Sequence, residues 1–284
     1  MRFDAIIFDI DNVLIDTRAS YIDCIIKTVT LYLETVFEFR SSRVSLLNRK
    51  DIEAFKSLGG FNDDWDTCYG LLLYLLSLKV KRKTIFELKK KQNVVRLSHE
   101  IKGKPLGTGG AGKIFGLNPN VTAKKIADIF QRFYLTEFMW NEQLIIPASF
   151  LKQIKKLNLK TGIVTGRSCE EADFVLRRFQ IDRYFDAMIT ADNTPANRKK
   201  PNPWGLLKIA DKLGKKLKYL YVGDLPDDVL AAKQARKKIN ISSCGFLAVS
   251  NLNREMKKEL RKIKADYICS SVKELKEIIL PIHR

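Results

Sequence analysis

The second half of the chain alternates short apolar runs with amphipathic segments, and this alternation limits the possible folds more than any other feature. Apolar residues are continuous where we predict strands and recur every three or four residues where we predict helices. Repeated strand-helix units imply a Rossmann-like α/β fold, a mostly parallel sheet with helices on both faces. The predicted strands are residues 159–164, 187–190, 217–222, 245–249 and 267–269, and the predicted helices are residues 168–179, 203–213, 226–237, 252–262 and 272–279.

A strand at the start of the chain is predicted to belong to the same sheet. Residues 5–10 form an apolar run that ends in acids, and a single parallel strand cannot pack alone. We then expect an all-helical cap domain at residues 17–146, inserted after the first strand of an α/β core formed by residues 1–16 and 147–284. The helices predicted in the cap are residues 18–37, 51–58, 64–80, 83–102 and 122–135, with no strand between about residues 18 and 140.

The composition excludes several kinds of site. Two histidines are too few for a poly-histidine metal centre, and five cysteines without a C-x-x-C pair exclude a zinc ribbon and a disulfide scaffold. This cysteine usage suggests a reducing, cytoplasmic location. We expect no targeting segment and no membrane span, because the longest apolar run, residues 70–78, is shorter than the roughly 20 residues that a spanning helix needs.

Polar side chains cluster at the carboxyl ends of the predicted strands, where α/β sheets bind ligands. Alternation along an extended segment puts Asp9 and Asp11 on the same side, so that both can face one ligand. The groups supplied by the later elements are Thr165, Gly166, Arg167, Lys200, Asp224, Asp227 and Asp228. One edge of the sheet would therefore carry carboxylates, a hydroxyl group and an ammonium group.

Four elements carry these groups: residues 8–12, 164–167 and 222–228 at strand ends, and residues 199–203 in the loop before a helix. In their order along the chain they resemble the signature of the haloacid dehalogenase-like superfamily, in its helical-cap branch, which includes phosphoglycolate phosphatases. The resemblance covers residues 1–16 and 147–284, and residues 59–65 are similar to a phosphatase subgroup within the insertion. It implies a Mg²⁺-dependent phosphoric monoester hydrolase that acts on a small phosphorylated metabolite, such as phosphoglycolate or a sugar phosphate. The reaction would pass through an aspartyl-phosphate intermediate.

The resemblance also implies a role for each matching residue. Asp9 would be the nucleophile and Asp11 the general acid and base. Thr165, Gly166, Arg167 and Lys200 would bind the phosphoryl oxygens. The Mg²⁺ ligands would be Asp9, the backbone carbonyl of Asp11, Asp224 and Asp228. Asp228 would bind the ion directly or through water, or would pair with Lys200. Asp227 would likewise act through water or by pairing with Lys200.

Two positions depart from the family pattern. Asn12 stands where glycine is frequent, and Leu225 where a hydroxyl residue is frequent. Asparagine accepts positive φ, so we expect the turn after Asp11 to form. The presence of Asp11 argues against cleavage of a carbon-halide bond, for which the family's dehalogenases need no acid at this position.

Several cap residues are candidates for substrate contact by analogy with such caps, namely Asn62, Asp64, Trp65 and the glycine-rich segment 107–113 with Lys113. An alternative for the first three is that Asn62 or Asp63 caps a helix that begins at Asp64 and that Trp65 packs inside the cap. Segment 107–113 matches part of a Walker A loop, but Ile114 replaces the Ser or Thr that would bind Mg²⁺. We therefore expect a mobile loop there and no P-loop nucleotide site.

The charge leaves alternatives open. The chain has 51 Lys and Arg against 32 Asp and Glu, a formal charge of +19, which is compatible with nucleic acid, small anions or a lysine-rich background. Because the proposed centre is acid-rich, we favour a small anionic substrate and disfavour nucleic acid. The alternatives are a phosphomutase of the same fold and a nucleotide or nucleic-acid end phosphatase, and the oligomeric state stays open.

Overall fold

The chain divides into two compact units, Met1–Asp16 with Gln143–Arg284 and Thr17–Glu142. The structure, a computed structural model, describes residues 3–61, 63–101, 106–249 and 253–280. Over these ranges, no helix combines the length and the apolar composition that crossing a membrane requires. The predicted bounds assigned residues 143–146 to the cap, whereas in the structure these four residues belong to the first unit.

The first unit contains a six-stranded, fully parallel sheet in the order β5-β4-β1-β6-β7-β8. A separate antiparallel pair, β2 with β3, joins Ile15 to Leu144 and Asp16 to Gln143. The strands are β1 (Ala5–Phe8), β2 (Ile15–Asp16), β3 (Gln143–Leu144), β4 (Lys160–Val164), β5 (Ala187–Ile189), β6 (Tyr219–Gly223), β7 (Ile241–Phe246) and β8 (Tyr267–Cys269).

The second unit is helical over its described residues. Its helices are α1 (Tyr21–Val36), α2 (Arg49–Lys56), α3 (Asp64–Ser77), α4 (Ile85–Lys91), α5 (Val94–Glu100), α6 (Gly107–Phe115) and α7 (Ala123–Thr136). The prediction of one helix over residues 83–102 was wrong, because the helical conformation is interrupted between α4 and α5. There the Asn93 side chain accepts the Arg96 N–H at 2.9 Å, while the Asn93 N–H donates to the Tyr74 hydroxyl at 2.9 Å.

The prediction of a mobile loop at residues 107–113 was also wrong, because these residues begin α6. The Leu106 and Gly107 N–H groups donate to the carbonyls of Leu58 and Gly59, both at 3.0 Å, and Ala111 is fully buried. Glycine lowers helix propensity by about 1 kcal/mol per residue, a cost that packing can outweigh. A glycine-rich sequence alone did not reveal that packing.

Helices cover both faces of the sheet in the first unit, as predicted. They are α8 (Ala148–Lys156), α9 (Cys169–Arg178), α10 (Trp204–Leu213), α11 (Pro226–Ala235), α12 (Asn253–Lys262) and α13 (Val272–Ile279). Alternation along β1 divides the core, because Ile6 and Phe8 pack with residues of α8, α9 and α13, whereas Ala5 and Ile7 pack with residues of α10 and α11. The central strand is therefore fully buried, which fixes the position of the polar residues that follow it.

Candidate active site

The site is built where β4, β1 and β6, three neighbouring strands, end at one edge of the sheet. Asp9 follows β1, and its N–H continues the ladder by donating to the carbonyl of Val222 at 2.9 Å. Thr165 follows β4 and donates its N–H to the carbonyl of Ile189 at 3.0 Å. Asp224 follows β6. Because all strands are parallel, their polar ends converge.

Lys200 joins two of the carboxylates. Its Nζ lies 2.9 Å from Oδ2 of Asp9, 2.7 Å from Oδ1 of Asp228 and 3.1 Å from the Tyr221 hydroxyl. Burial lowers the pKa of Lys200, but the Asp228 and Asp9 carboxylates outweigh burial and hold that pKa well above its ordinary value. The ammonium group thus stays charged beside the acids.

The Asp228 carboxylate is fixed by two further hydrogen bonds. The Leu225 N–H donates to its Oδ2 at 3.0 Å, and the Tyr221 hydroxyl donates to its Oδ1 at 2.8 Å. Gly223 makes this close packing possible, because a Cβ at that position would lie 2.3 Å from the Asp228 side chain. Tyr221 was not identified from the sequence, since a tyrosine in a buried strand gives no signal that distinguishes it from a core residue.

Asp9, Asp224 and Asp228 can each present a carboxylate oxygen within 4.8 Å of the others. The pKa of Asp9 is raised to about 7, mainly by burial. Lys200 opposes this increase, and the Asp228 and Asp11 carboxylates add to it. Burial, Asp228 and Asp9 also raise the pKa of Asp224 well above its ordinary value. These carboxylates repel one another at close range, so a cation among them would be stabilising, and an all-oxygen donor set fits Mg²⁺.

Asn12 forms the turn that brings the end of β1 toward Asp224. Its φ is +55°, which agrees with the expectation that asparagine accepts the turn otherwise made by glycine. Its side chain adds a contact that glycine could not make, because Nδ2 donates to Oδ2 of Asp224 at 3.1 Å. The sequence indicated the turn, but not this orienting hydrogen bond.

Arg167 turns toward Asp11. Its Nε and Nη2 lie 2.8 and 2.7 Å from the same oxygen, Oδ1 of Asp11, and only 1% of its side chain is exposed. The Arg167 N–H also donates to the Thr165 hydroxyl at 3.2 Å. Substrate binding by Arg167 stays a prediction, and its guanidinium group contacts the predicted acid. Gly166 between them is exposed.

Two further residues, Leu225 and Asp227, follow Asp224 in the segment after β6. Asp227 is partly exposed, and burial together with Asp228 raises its pKa. Leu225 is 48% exposed, so an apolar side chain stands beside Asp224 where the family pattern often has a hydroxyl group.

The candidate cap residues lie in the second unit and stay predictions. Asn62 lies outside the described residues. Asp63 caps α3 by accepting the Asp66 N–H at 2.8 Å, and Asp64 pairs with Lys56 at 2.5 Å. Trp65 is 42% exposed, so the alternative that it packs inside the cap is wrong. Lys113 is exposed on α6.

Comparison with known proteins gives a consistent result. A family model for haloacid dehalogenase-like hydrolases matches residues 3–236. The chain is 30% identical over 130 residues to the pyrophosphatase PpaX of Halalkalibacterium halodurans, covering 45% of this chain and 56% of that protein. It is 31% identical over 114 residues to the phosphoglycolate phosphatase of Photorhabdus laumondii, covering 39% and 48%.

The chain thus spans about half the length of the curated relatives it matches. Among solved structures, phosphatase Tt82 from Thermococcus thioreducens has a TM-score of 0.63 at 23% identity, with 90% of this chain and 98% of that chain covered. At this identity the agreement establishes a shared fold.

Proposed function

The chain belongs to the haloacid dehalogenase-like hydrolase family, as its sequence motifs indicated, and we propose that it is a Mg²⁺-dependent phosphatase of small phosphorylated metabolites. The observation that carries this proposal is the convergence of Asp9, Lys200, Asp224 and Asp228 at the carboxyl edge of the sheet. A carboxylate nucleophile, a fixed cation and further acids are the groups that phosphoryl transfer to aspartate needs.

Asp9 carries the phosphoryl group. One carboxylate oxygen of Asp9 forms a bond to phosphorus as the ester bond breaks, and the proton of Asp11 passes to the departing oxygen, which leaves as an alcohol. Water then attacks phosphorus, the bond to Asp9 breaks, and Asp11 takes the proton that the water loses. Inorganic phosphate is released and both side chains return to their starting states.

Lys200 and Thr165 bind and orient the phosphoryl oxygens. Lys200 is held by Asp9 and Asp228 at 2.9 and 2.7 Å, so its charge is in place before the substrate arrives. Such preorganised charge stabilises a transition state without reorganisation during the reaction. Thr165 is buried directly after β4, and its position is fixed by the strand ladder.

Asp9, Asp224 and Asp228 would hold the metal ion, with Asn12 orienting Asp224. A bound Mg²⁺ would neutralise the acids and the negative charge of the phosphoryl group. This fits the donor set, because hard carboxylate oxygens are the ligands that Mg²⁺ prefers while it keeps several waters.

The substrate belongs to the class of phosphoglycolate, sugar phosphates or similar small metabolites. The names of the relatives, pyrophosphatase and phosphoglycolate phosphatase, support small phosphate compounds in general. They also favour hydrolysis over the phosphomutase alternative, in which a sugar would accept the phosphoryl group. All five cysteines are free, which agrees with the cytoplasmic location that we propose.

The test is phosphate release by Asp9→Asn. Wild-type protein with Mg²⁺ should release phosphate from p-nitrophenyl phosphate, and Asp9→Asn should lose at least about 10³-fold because the amide cannot act as the nucleophile. Asp182→Asn, a change at an exposed carboxylate of the same unit, is the matched control. Full activity in Asp9→Asn would refute the mechanism.

A panel of phosphorylated metabolites, including pyrophosphate, would then define the substrate. An isomerised sugar phosphate without net phosphate release would identify a mutase.

A further inference from the structure

Arg167 makes a contact that the proposed reaction does not itself require. Its guanidinium group places two N–H donors on a single oxygen of Asp11, with Nε at 2.8 Å and Nη2 at 2.7 Å from Oδ1. The two side chains differ in exposure, 1% for Arg167 and 28% for Asp11. The arginine is therefore enclosed in protein, and the carboxyl group that it contacts is accessible.

The backbone around Arg167 is fixed from both sides. Its N–H donates to the Thr165 hydroxyl at 3.2 Å, and its carbonyl accepts the Ala191 N–H at 2.8 Å. The next residue, Ser168, caps α9 by accepting the Glu171 N–H at 3.2 Å. A buried side chain on a fixed backbone is a rigid support, and the planar guanidinium fork has less freedom than an ammonium group.

We propose that Arg167 is a positioning residue for Asp11. By binding Oδ1 with two donors, Arg167 fixes the rotation of the Asp11 carboxyl group and leaves Oδ2 to exchange the proton with the leaving oxygen and with water. This inference rests on the proposed function, because Asp11 acts as an acid only in that reaction. It gives Arg167 a role different from the substrate contact that the family resemblance implied.

The geometry favours positioning over direct substrate binding. A residue that binds the phosphoryl group must expose donors to it, and the Arg167 side chain is 1% exposed with two donors engaged on Asp11. Misplacing a catalytic group by about 1 Å can reduce a rate about 10²-fold, so a support of this kind has a measurable effect.

The experiment uses the dependence of the rate on the leaving group. An alkyl phosphate such as glycerol 3-phosphate needs a proton on its departing oxygen, whereas 2,4-dinitrophenyl phosphate leaves without one. The comparison uses kcat/KM, which reports the steps up to departure of the leaving group, because the later attack of water on phosphorylated Asp9 needs Asp11 for either substrate. Arg167→Met should lower kcat/KM for the alkyl phosphate roughly 10- to 100-fold, part of the 10²- to 10⁴-fold that general acid catalysis supplies, and lower kcat/KM for the aryl phosphate less than about 3-fold. The inhibition constant of inorganic phosphate, which reports binding of the phosphoryl group, should change little.

Three further single variants and one double variant make the comparison specific. Arg167→Lys keeps the positive charge but loses the planar pair of N–H donors. Its ratio of the two rates should therefore lie between those of wild type and Arg167→Met. Asp11→Asn should show the same preference for the aryl substrate, and adding Arg167→Met to it should cost little more, since both changes affect one step. Arg177→Met, at an exposed position on α9, should leave the ratio of the two rates unchanged.

Both rates are measured on the same sample, so partial unfolding of a variant cancels in their ratio. An equal fall for both substrates in Arg167→Met would overturn the proposal in favour of a structural ion pair. A raised inhibition constant for phosphate, with equal falls in kcat/KM for both substrates, would overturn it in favour of substrate binding. Loss of the proposed function would appear differently, as wild-type protein that hydrolyses neither substrate.

Discussion

The ammonium nitrogen of Lys200 lies 2.9 Å from a carboxylate oxygen of Asp9. The two residues are far apart in the sequence, one after β1 and the other in the loop before α10. The same ammonium group reaches Asp228 at 2.7 Å, so a single cation compensates two buried carboxylates. This links the stability of the site to its chemistry, because removing the cation leaves both acids unpaired.

Lys200→Met should impair both folding stability and activity. Removing one partner of a buried ion pair leaves uncompensated charge, so we expect the free energy of unfolding in metal-free buffer to fall by about 3 kcal/mol. Saturating Mg²⁺ should recover part of that loss, while kcat/KM for p-nitrophenyl phosphate stays about 10²-fold or more below wild type. Urea unfolding with and without Mg²⁺ measures the first effect. Lys199→Met, at the exposed neighbouring position, should behave as wild type.

Metal removal should be visible without any activity assay. A ligand that binds only the folded state at 100 times its Kd stabilises that state by about 2.7 kcal/mol, so Mg²⁺ should raise the Tm of the wild-type protein. Asp224→Asn should abolish most of this increase. It should also raise the Tm in EDTA, because it removes one of three carboxylates that repel one another. A Tm in EDTA below that of wild type would contradict this account of the cluster.

The α/β core could be predicted because its strands are apolar runs between helices of clear periodicity. The prediction of strands and helices failed where packing or hydrogen bonds outweigh the local sequence pattern. β7 begins at Ile241, before the predicted residue 245, since the Ser243 side chain is satisfied by Asp266. α8 was not predicted at all, and β2 and β3, two residues each, are too short to give a periodic signal.

The candidate site could be predicted as a set of residues, but not as a set of contacts. Strand ends indicate which residues approach one edge, and this identified Asp9 and Asp224 as candidates. Lys200 was identified as part of a motif in the loop before a helix. Side-chain partners depend on rotamers and on neighbours distant in sequence. The contacts of Asn12 with Asp224 and of Arg167 with Asp11 are of this kind.

Asp266 should contribute stability that depends on pH. Burial raises the pKa of its carboxyl group, but hydrogen bonds from Ser243 and Arg236 outweigh burial and hold that pKa below its ordinary 3.8. A lowered folded-state pKa gives stability that is present above the unfolded-state pKa and is lost as the pH falls through the folded-state value. Asp266→Asn should therefore cost about 1–2 kcal/mol at pH 7, and the difference from wild type should shrink below about pH 4.

Urea titrations of both proteins between pH 7 and pH 3 measure this difference. Asp211→Asn is the control, since Asp211 is an exposed carboxylate of α10 that pairs only with the exposed Lys208 and Lys215 among the described residues. Surface pairs of this kind contribute at most about 1 kcal/mol. A difference between wild type and Asp266→Asn that grew as the pH fell would reverse the expected sign.

Two glycines of the helical unit should respond to alanine in opposite directions. A Cβ on Gly70 in α3 would lie 2.7 Å from the Phe61 ring and 2.8 Å from the Phe55 ring, both buried, so Gly70→Ala should destabilise the protein by about 1–3 kcal/mol. A Cβ on Gly109 in α6 would meet nothing within 4 Å, and Gly109→Ala should stabilise it by about 0.5–1 kcal/mol through helix propensity. Thermal unfolding of both variants measures the pair. Destabilisation by Gly109→Ala would mean that α6 does not persist as a helix in solution, and the glycine-rich segment would then be the loop that its composition indicated.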